Sequence, residues 1–167
     1  MTDVYLDTNI LLRLYENKPG KENAERIVLL AKRDRIRLAI SEWVINECVG
    51  AVQRKRNENK LTKKEAAEII VGIADLIEGK IEEANLSLYP VTENVVRGSL
   101  VTIQNIACQS AGDAIHVYTA DRAKCRYFIT ADKGLASRIK NSELRSKLVA
   151  VDIDELSDTL SFFSNCE

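Results

Sequence analysis

The segment Val4-Tyr5-Leu6-Asp7-Thr8-Asn9 joins a short apolar run to a polar end, and the fold of the whole chain can be worked out from it. The apolar run indicates a buried strand, and Asp7 stands where that strand would end. Asp7 is the only charge between Val4 and Leu12. Burying an ionised carboxylate is costly unless it is paired, hydrogen-bonded or bound to a metal. Asp7 is therefore the first candidate for a functional residue.

Predicted strands and helices alternate along the rest of the chain. Apolar runs predict four more strands, at residues 36–40, 86–91, 127–130 and 148–151. Helical spacing and capping residues predict helices at 22–34, 41–56, 62–83, 92–109 and 110–124, a helical segment from Asp132, and a last helix capped by Asp152 with Glu155. Such alternation is typical of a parallel sheet with helices on both faces. We therefore expect one α/β domain over residues 1–167, with three α/β/α layers around a mostly parallel sheet of about five strands.

Four acidic residues fall where ligands bind in such sheets, beyond the carboxyl ends of the strands. Asp7 and Asp132 each follow a strand directly. Glu47 lies in the helix after the second strand, and Asp113 lies in the first turn of a later helix. Asp113 is also the only charge between residues 98 and 120, although 29% of the chain is charged. Four separated carboxylates can therefore meet at one edge of the sheet.

Each of these acids also has a simpler structural explanation. Asp7 and Asp132 are favourable helix N-caps, which stabilise a helix by ~1 kcal/mol. Ser110 and Asp113 fit the S-x-x-D capping pattern, and Glu47 lies at the edge of an apolar helix face, where it can be solvated. Taken together, the acids are harder to explain as caps alone, because all four border the same predicted edge.

A set of oxygen ligands selects hard cations, so the four acids predict a site for Mg²⁺ or Mn²⁺. A zinc site is disfavoured because the chain has one histidine and no Cys/His cluster. That histidine, His116, lies in an apolar helix, which favours a structural role. The cysteines lack metal-binding spacing and are interpreted as buried or free thiols in a reducing cytoplasm: Cys48, Cys108, Cys125 and Cys166.

At these acids the sequence resembles the PIN-domain ribonucleases, which include the VapC toxins of prokaryotic toxin–antitoxin pairs. Four motifs carry the resemblance: Asp7-Thr8-Asn9 after an apolar strand, Ser41 six residues before Glu47, Asp113-Ala114-Ile115 opening an Ala-containing helix, and Thr130-Ala131-Asp132 after a strand. Their order and spacing cover nearly the whole chain. The family often has an aromatic residue shortly after the fourth acid, whereas this chain continues Lys133-Gly134-Leu135, a departure that concerns substrate shape and oligomer geometry more than the chemistry.

The resemblance implies an Mg²⁺- or Mn²⁺-dependent endoribonuclease that hydrolyses RNA and leaves 5′-phosphate ends. It implies four catalytic, metal-binding acids: Asp7, Glu47, Asp113 and Asp132. Asn9 and Thr130 are implied as supporting polar residues that orient the acids or the attacking water. The resemblance also makes a cognate antitoxin and a homodimer plausible partners, and it leaves open whether cleavage is toxic or serves RNA processing.

The surface gives weaker signals about partners. The net charge of −1 provides no global basic field for nucleic acid, so phosphate contacts need a local patch. The densest basic stretch is Arg54-Lys55-Arg56, which suits RNA phosphates but also fits a solvated helix end. Long apolar helix faces at 61–81 and 92–107 suggest a homodimer interface or an antitoxin groove. No apolar run approaches the ~20 residues of a membrane helix, so we expect a cytoplasmic protein with no membrane contact.

Two other functions compete with the ribonuclease hypothesis. A haloacid-dehalogenase-like phosphotransferase also begins with an Asp after its first strand, but its general acid would stand two residues later, where this chain has Asn9. A catalytically silent PIN-like module would bind RNA or a protein without cutting. The four acids argue against such a module.

Overall fold

The computed structural model describes residues 1–83, 85–156 and 163. Its strands are β1 (Thr2–Leu6), β2 (Ile36–Ser41), β3 (Leu86–Tyr89), β4 (Tyr127–Thr130) and β5 (Val149–Asp152). Its α-helices are α1 (Thr8–Arg13), α2 (Lys21–Lys32), α3 (Glu42–Asn57), α4 (Lys63–Glu82), α5 (Glu93–Ile106), α6 (Ala111–Arg122) and α7 (Lys133–Lys140). A short 3-10 helix, Glu143–Ser146, precedes β5.

The five strands form one parallel sheet in the order β3-β2-β1-β4-β5. β1 lies in the centre, where Val4 pairs with Leu38 of β2 and Tyr5 pairs with Phe128 of β4. The apolar residues of β1 are fully buried, as expected for a parallel sheet that helices cover on both faces. The predicted three-layer α/β/α fold is confirmed. The carboxyl ends of all five strands meet at one edge, and this edge carries the candidate site.

Three of the differences from the sequence-based boundaries concern β3, α5 and the residues after β5. β3 ends at Tyr89 rather than residue 91, because Pro90 has no N–H to donate to a neighbouring strand. α5 ends at Ile106 rather than residue 109, where Ala107 adopts a left-handed conformation. Asp152 ends β5, and its side chain accepts a hydrogen bond from the Asp154 backbone. Most of the predicted last helix, together with Cys166, lies outside the described residues.

The longest described helix, α4, begins with the capping box that the sequence predicts. The Thr62 hydroxyl accepts a hydrogen bond from the Glu65 backbone, and the Glu65 carboxylate accepts one from the Thr62 backbone. Despite its length, α4 does not qualify as a membrane span, and neither does any other helix of the described residues.

Substitution Thr62→Ala should lower the free energy of unfolding by about 1 kcal/mol, because it leaves helix N–H groups without their capping oxygen. Urea denaturation followed by circular dichroism measures this change. A midpoint equal to that of the wild type would show that the cap contributes nothing to stability.

Candidate active site

Asp7 directly follows β1, where its carboxylate caps α1 and accepts hydrogen bonds on both oxygens. Oδ1 accepts a bond from the Thr8 backbone at 2.7 Å, while Oδ2 accepts bonds from Asn9 Nδ2 at 2.7 Å and Thr130 Oγ1 at 2.6 Å. The residue is only 6% exposed. Burial raises the pKa of Asp7 above its usual value, although His116 and the hydrogen bonds act in the opposite direction.

Glu47 approaches the same place from α3, on the helix that follows β2. Its Oε1 accepts a hydrogen bond from Trp43 Nε1 at 2.8 Å, and Oε2 accepts one from Thr8 Oγ1 at 2.6 Å. His116 Nε2 lies 2.9 Å from the same Oε2. Burial raises the pKa of Glu47, but these neighbours outweigh burial and lower the pKa to about 2. Glu47 is therefore a carboxylate at neutral pH.

His116 connects the two acids, and the sequence-based interpretation missed this role. Its Nε2 lies 3.7 Å from Asp7 Oδ1, and one ligand atom from each of Asp7, Glu47 and His116 lies within 4.8 Å of the others. Its Nδ1 lies 2.9 Å from the Tyr5 hydroxyl oxygen, and that hydroxyl donates to Ser41 Oγ. Ser41 is the N-cap residue of α3, but its side chain caps no N–H. A chain of buried polar groups thus runs from Ser41 to Glu47.

Asn9 and Thr130 orient the Asp7 carboxylate between the ends of β1 and β4. The Thr130 hydroxyl donates to Asp7 and accepts from the Asp132 backbone at 2.9 Å, so it links the ends of β1 and β4. Asn9 Oδ1 accepts from the Ala131 backbone at 2.7 Å. With both contacts in place, the Asp7 carboxylate has a fixed orientation before any ligand arrives.

The other two predicted acids border this group without joining it. Asp132 caps α7, with its Oδ1 accepting from the Leu135 backbone at 2.9 Å. Asp113 Oδ2 lies 3.7 Å from Arg138 Nη2, so the chain does supply a cationic neighbour that sequence proximity did not reveal. Gly112, the residue before Asp113, packs against the Glu47 carboxylate. The structure therefore brings Asp7 and Glu47 together and places Asp113 and Asp132 beside them at the same edge.

The site suits a hard divalent cation. Within the described residues, no Lys or Arg pairs with Asp7. A carboxylate has about four acceptor positions; Asp7 uses three of them on protein donors, and Glu47 uses two and faces His116 Nε2 with a third. Each acid therefore keeps capacity for a further partner, and carboxylate oxygens are the ligands that Mg²⁺ and Mn²⁺ prefer.

Solved structures share this fold at low sequence identity. VapBC2 from Rickettsia felis, crystallised with a fragment of its promoter DNA, matches with a TM-score of 0.56 and 16% identity, over 90% of this chain and 98% of that chain. VapC20 from Mycobacterium tuberculosis, a toxin that cleaves the sarcin–ricin loop, matches with a TM-score of 0.55 and 12% identity, over 75% of this chain and 86% of that chain. A protein from Pyrobaculum aerophilum matches with a TM-score of 0.55 and 15% identity, over 98% of this chain and 94% of that chain.

A search of curated proteins finds no match to this sequence. The family model described as the PIN domain, in contrast, matches residues 4–141, a span that includes all four predicted acids and the strands that position them. The chain belongs to the PIN-domain family.

Proposed function

We propose that this protein is an Mg²⁺- or Mn²⁺-dependent endoribonuclease with a four-carboxylate site formed by Asp7, Glu47, Asp113 and Asp132. The close approach of Asp7 and Glu47 is the observation that carries the proposal. Two carboxylates this close repel each other, and His116 is the only described residue with an ionisable side chain that lies within 4 Å of both. A divalent cation would offset this repulsion. Membership in the PIN-domain family supports RNA as the substrate.

The chain's own residues would bind and orient the reacting groups. A bound divalent ion would act as a Lewis acid towards phosphate and lower the pKa of water. Asn9, Thr130 and the Thr8 backbone keep Asp7 in one orientation, so little reorganisation is needed when RNA binds. His116 and Trp43 do the same for Glu47. Asp132, which is exposed, and Asp113, which is partly exposed, would complete the acidic rim on the side where RNA approaches.

The direct test is incubation of the purified chain with labelled single-stranded and hairpin RNA. Cleavage should require Mg²⁺ or Mn²⁺, stop on chelation with EDTA, and leave 5′-phosphate ends. DNA of the same sequence is the matched substrate control. If RNA binds equally with and without the metal and is never shortened, the chain is a silent binding module and the ribonuclease proposal fails.

We also propose a cognate antitoxin as partner, since the R. felis neighbour was solved as a VapBC complex. Three apolar side chains on α5 are well exposed, namely Val96, Leu100 and Val101. Such an apolar surface suits a protein partner, either an antitoxin or a second copy of the chain. Light scattering of the purified protein distinguishes a homodimer from a monomer that awaits its antitoxin.

The Arg54-Lys55-Arg56 stretch lies at the end of α3, and its middle residue has an acidic partner in the structure. Lys55 forms an ion pair with Glu16, which also pairs with Lys18 at 2.5 Å. This pairing reduces the charge that Lys55 can offer to phosphate. We therefore propose that Arg54 and Arg56 make the RNA contacts of this stretch.

The double variant Arg54→Gln/Arg56→Gln should weaken RNA binding and reduce the slope of log Kd against log salt by roughly one to two units. Fluorescence anisotropy at several salt concentrations measures this slope. Lys63→Gln/Lys64→Gln is the control, because it removes the same charge from the exposed start of α4. An equal effect of both double variants would argue against a specific role for Arg54 and Arg56.

A further inference from the structure

Arg138 lies beside the acidic site, in the last turn of α7. Side chains of a helix lean towards its N-terminus, and the Arg138 guanidinium accordingly reaches back over Gly134 towards Asp132. A Cβ atom added to Gly134 would lie 3.1 Å from both Arg138 Nη1 and Asp132 Oδ1. The missing side chain at Gly134 thus leaves room for the guanidinium next to the fourth predicted acid.

The guanidinium is largely buried, yet two of its three nitrogens have no acceptor in the protein. Nε and Nη2 of Arg138 are buried and have no hydrogen-bond partner among the described residues. The nearest carboxylate oxygen, Asp113 Oδ2, lies 3.7 Å from Nη2, which is close enough for charge attraction but too long for a hydrogen bond. Buried donors without an acceptor are unfavourable, so native structures seldom keep them without a reason.

The Arg138 side chain as a whole is 19% exposed, whereas Nε and Nη2 are covered, so the guanidinium must rotate outward before a ligand from solvent meets both donors. If Arg138 served only to position Asp113, the two side chains should form the short, bidentate pair that arginine and carboxylate favour. The observed separation does not provide that pair. A group with two oxygen acceptors in one plane would satisfy the fork of donors better.

We propose that Arg138 binds a phosphate oxygen of the RNA backbone next to the bond that is cut. This inference rests on the proposed ribonuclease function. Phosphate matches the planar fork of arginine and carries the charge that a buried guanidinium attracts. Asp113 offsets part of the positive charge until RNA arrives. Arg138 thereby supplies a positive charge at this edge, on the side of Asp113 and Asp132.

The test compares Arg138→Gln and Arg138→Lys with the wild type in three measurements: KM and kcat for a short RNA, RNA binding by anisotropy in EDTA, and Mn²⁺ binding by calorimetry without RNA. Arg138→Gln should raise KM and the dissociation constant for RNA by about tenfold, with Mn²⁺ affinity not lowered, because the substitution removes a positive charge beside Asp113. Arg138→Lys should recover only part of the loss, because an ammonium group cannot form the fork. Thermal unfolding of each variant reports on folding.

Arg122→Gln is the matched control, since it removes a guanidinium from the exposed end of α6 that precedes β4, at the opposite edge of the sheet. Unchanged RNA affinity in Arg138→Gln would overturn the inference. So would a fall in Mn²⁺ affinity as large as the fall in RNA affinity, because Arg138 would then act by positioning Asp113. If the wild type binds RNA but never cleaves it, the ribonuclease proposal fails, while the anisotropy comparison still tests Arg138.

Discussion

Substitution Asp7→Asn is expected to lower RNA cleavage by at least about 100-fold and to leave the fold intact. Loss of a residue that only hydrogen-bonds to a metal ligand typically lowers activity or metal affinity 10–100-fold. Loss of the ligand itself should lower them at least as much. The amide would also turn an N–H group towards one of the donors that now bond to Asp7, namely the Thr8 backbone, Asn9 or Thr130. The reduced metal affinity and the disturbed orientation both act against cleavage.

The fold should survive because Asn caps helices about as well as Asp. Burial raises the pKa of Asp7, which means that the buried carboxylate is itself unfavourable, and a neutral amide relieves that cost. Mn²⁺ should raise the Tm of the wild type through preferential binding to the folded state, and Asp7→Asn should lose this increase. Asp75→Asn makes the same chemical change at an exposed position of α4 and serves as the control. Full cleavage by Asp7→Asn would remove Asp7 from the site.

The strands and most helices could be predicted from the sequence because their signals are local. The apolar run of β1 is only three residues long, but Asp7 marks its end. The capping residues of α1 and α4 likewise lie next to the helices that they begin. The parallel sheet then follows from the alternation of elements, and the edge that carries the acids follows from the sheet. Each of these steps depends on spacing that is visible along the chain.

The role of His116 could not be predicted in this way, because its contacts join distant parts of the chain. Its two ring nitrogens face Tyr5 and Glu47, which lie 111 and 69 residues away. From sequence alone, a lone histidine in an apolar helix has the pattern of a core residue. The role of Ser41 could not be predicted for the same reason, because its hydroxyl accepts a hydrogen bond from the distant Tyr5 instead of capping α3.

Arg138 shows a similar limit for charged residues. In the sequence Arg138 is one of a group of basic residues and lies 25 positions from Asp113. No local sequence feature distinguishes it from its exposed neighbours. The fold places it against Asp113 and over Gly134. Trp43 is a partial exception, because its spacing of four residues from Glu47 on one helix predicts that the two side chains meet.

A second large effect is expected at Gly112, a buried glycine in the first turn of α6. An added Cβ would overlap Glu47 Oε1 and approach Trp43 Nε1 to 2.9 Å. The Glu47 carboxylate is the end of a flexible side chain, so it would move away instead of unfolding the helix. Gly112→Ala should therefore reduce cleavage by roughly 100-fold, because a displacement of about 1 Å at a reacting group has effects of that size.

The stability of Gly112→Ala should change little, which separates this variant from ordinary core mutations. Alanine favours a helix over glycine by roughly 0.5–1 kcal/mol, and this gain offsets part of the cost of moving Glu47. Gly79→Ala is the matched control, because an added Cβ there meets no atom within 4 Å. Gly79→Ala should retain full RNA cleavage and have a Tm at or above that of the wild type. If Gly112→Ala cleaved RNA as well as Gly79→Ala does, the position of the Glu47 carboxylate would not matter for catalysis, and Glu47 would have to be removed from the set of metal-binding acids.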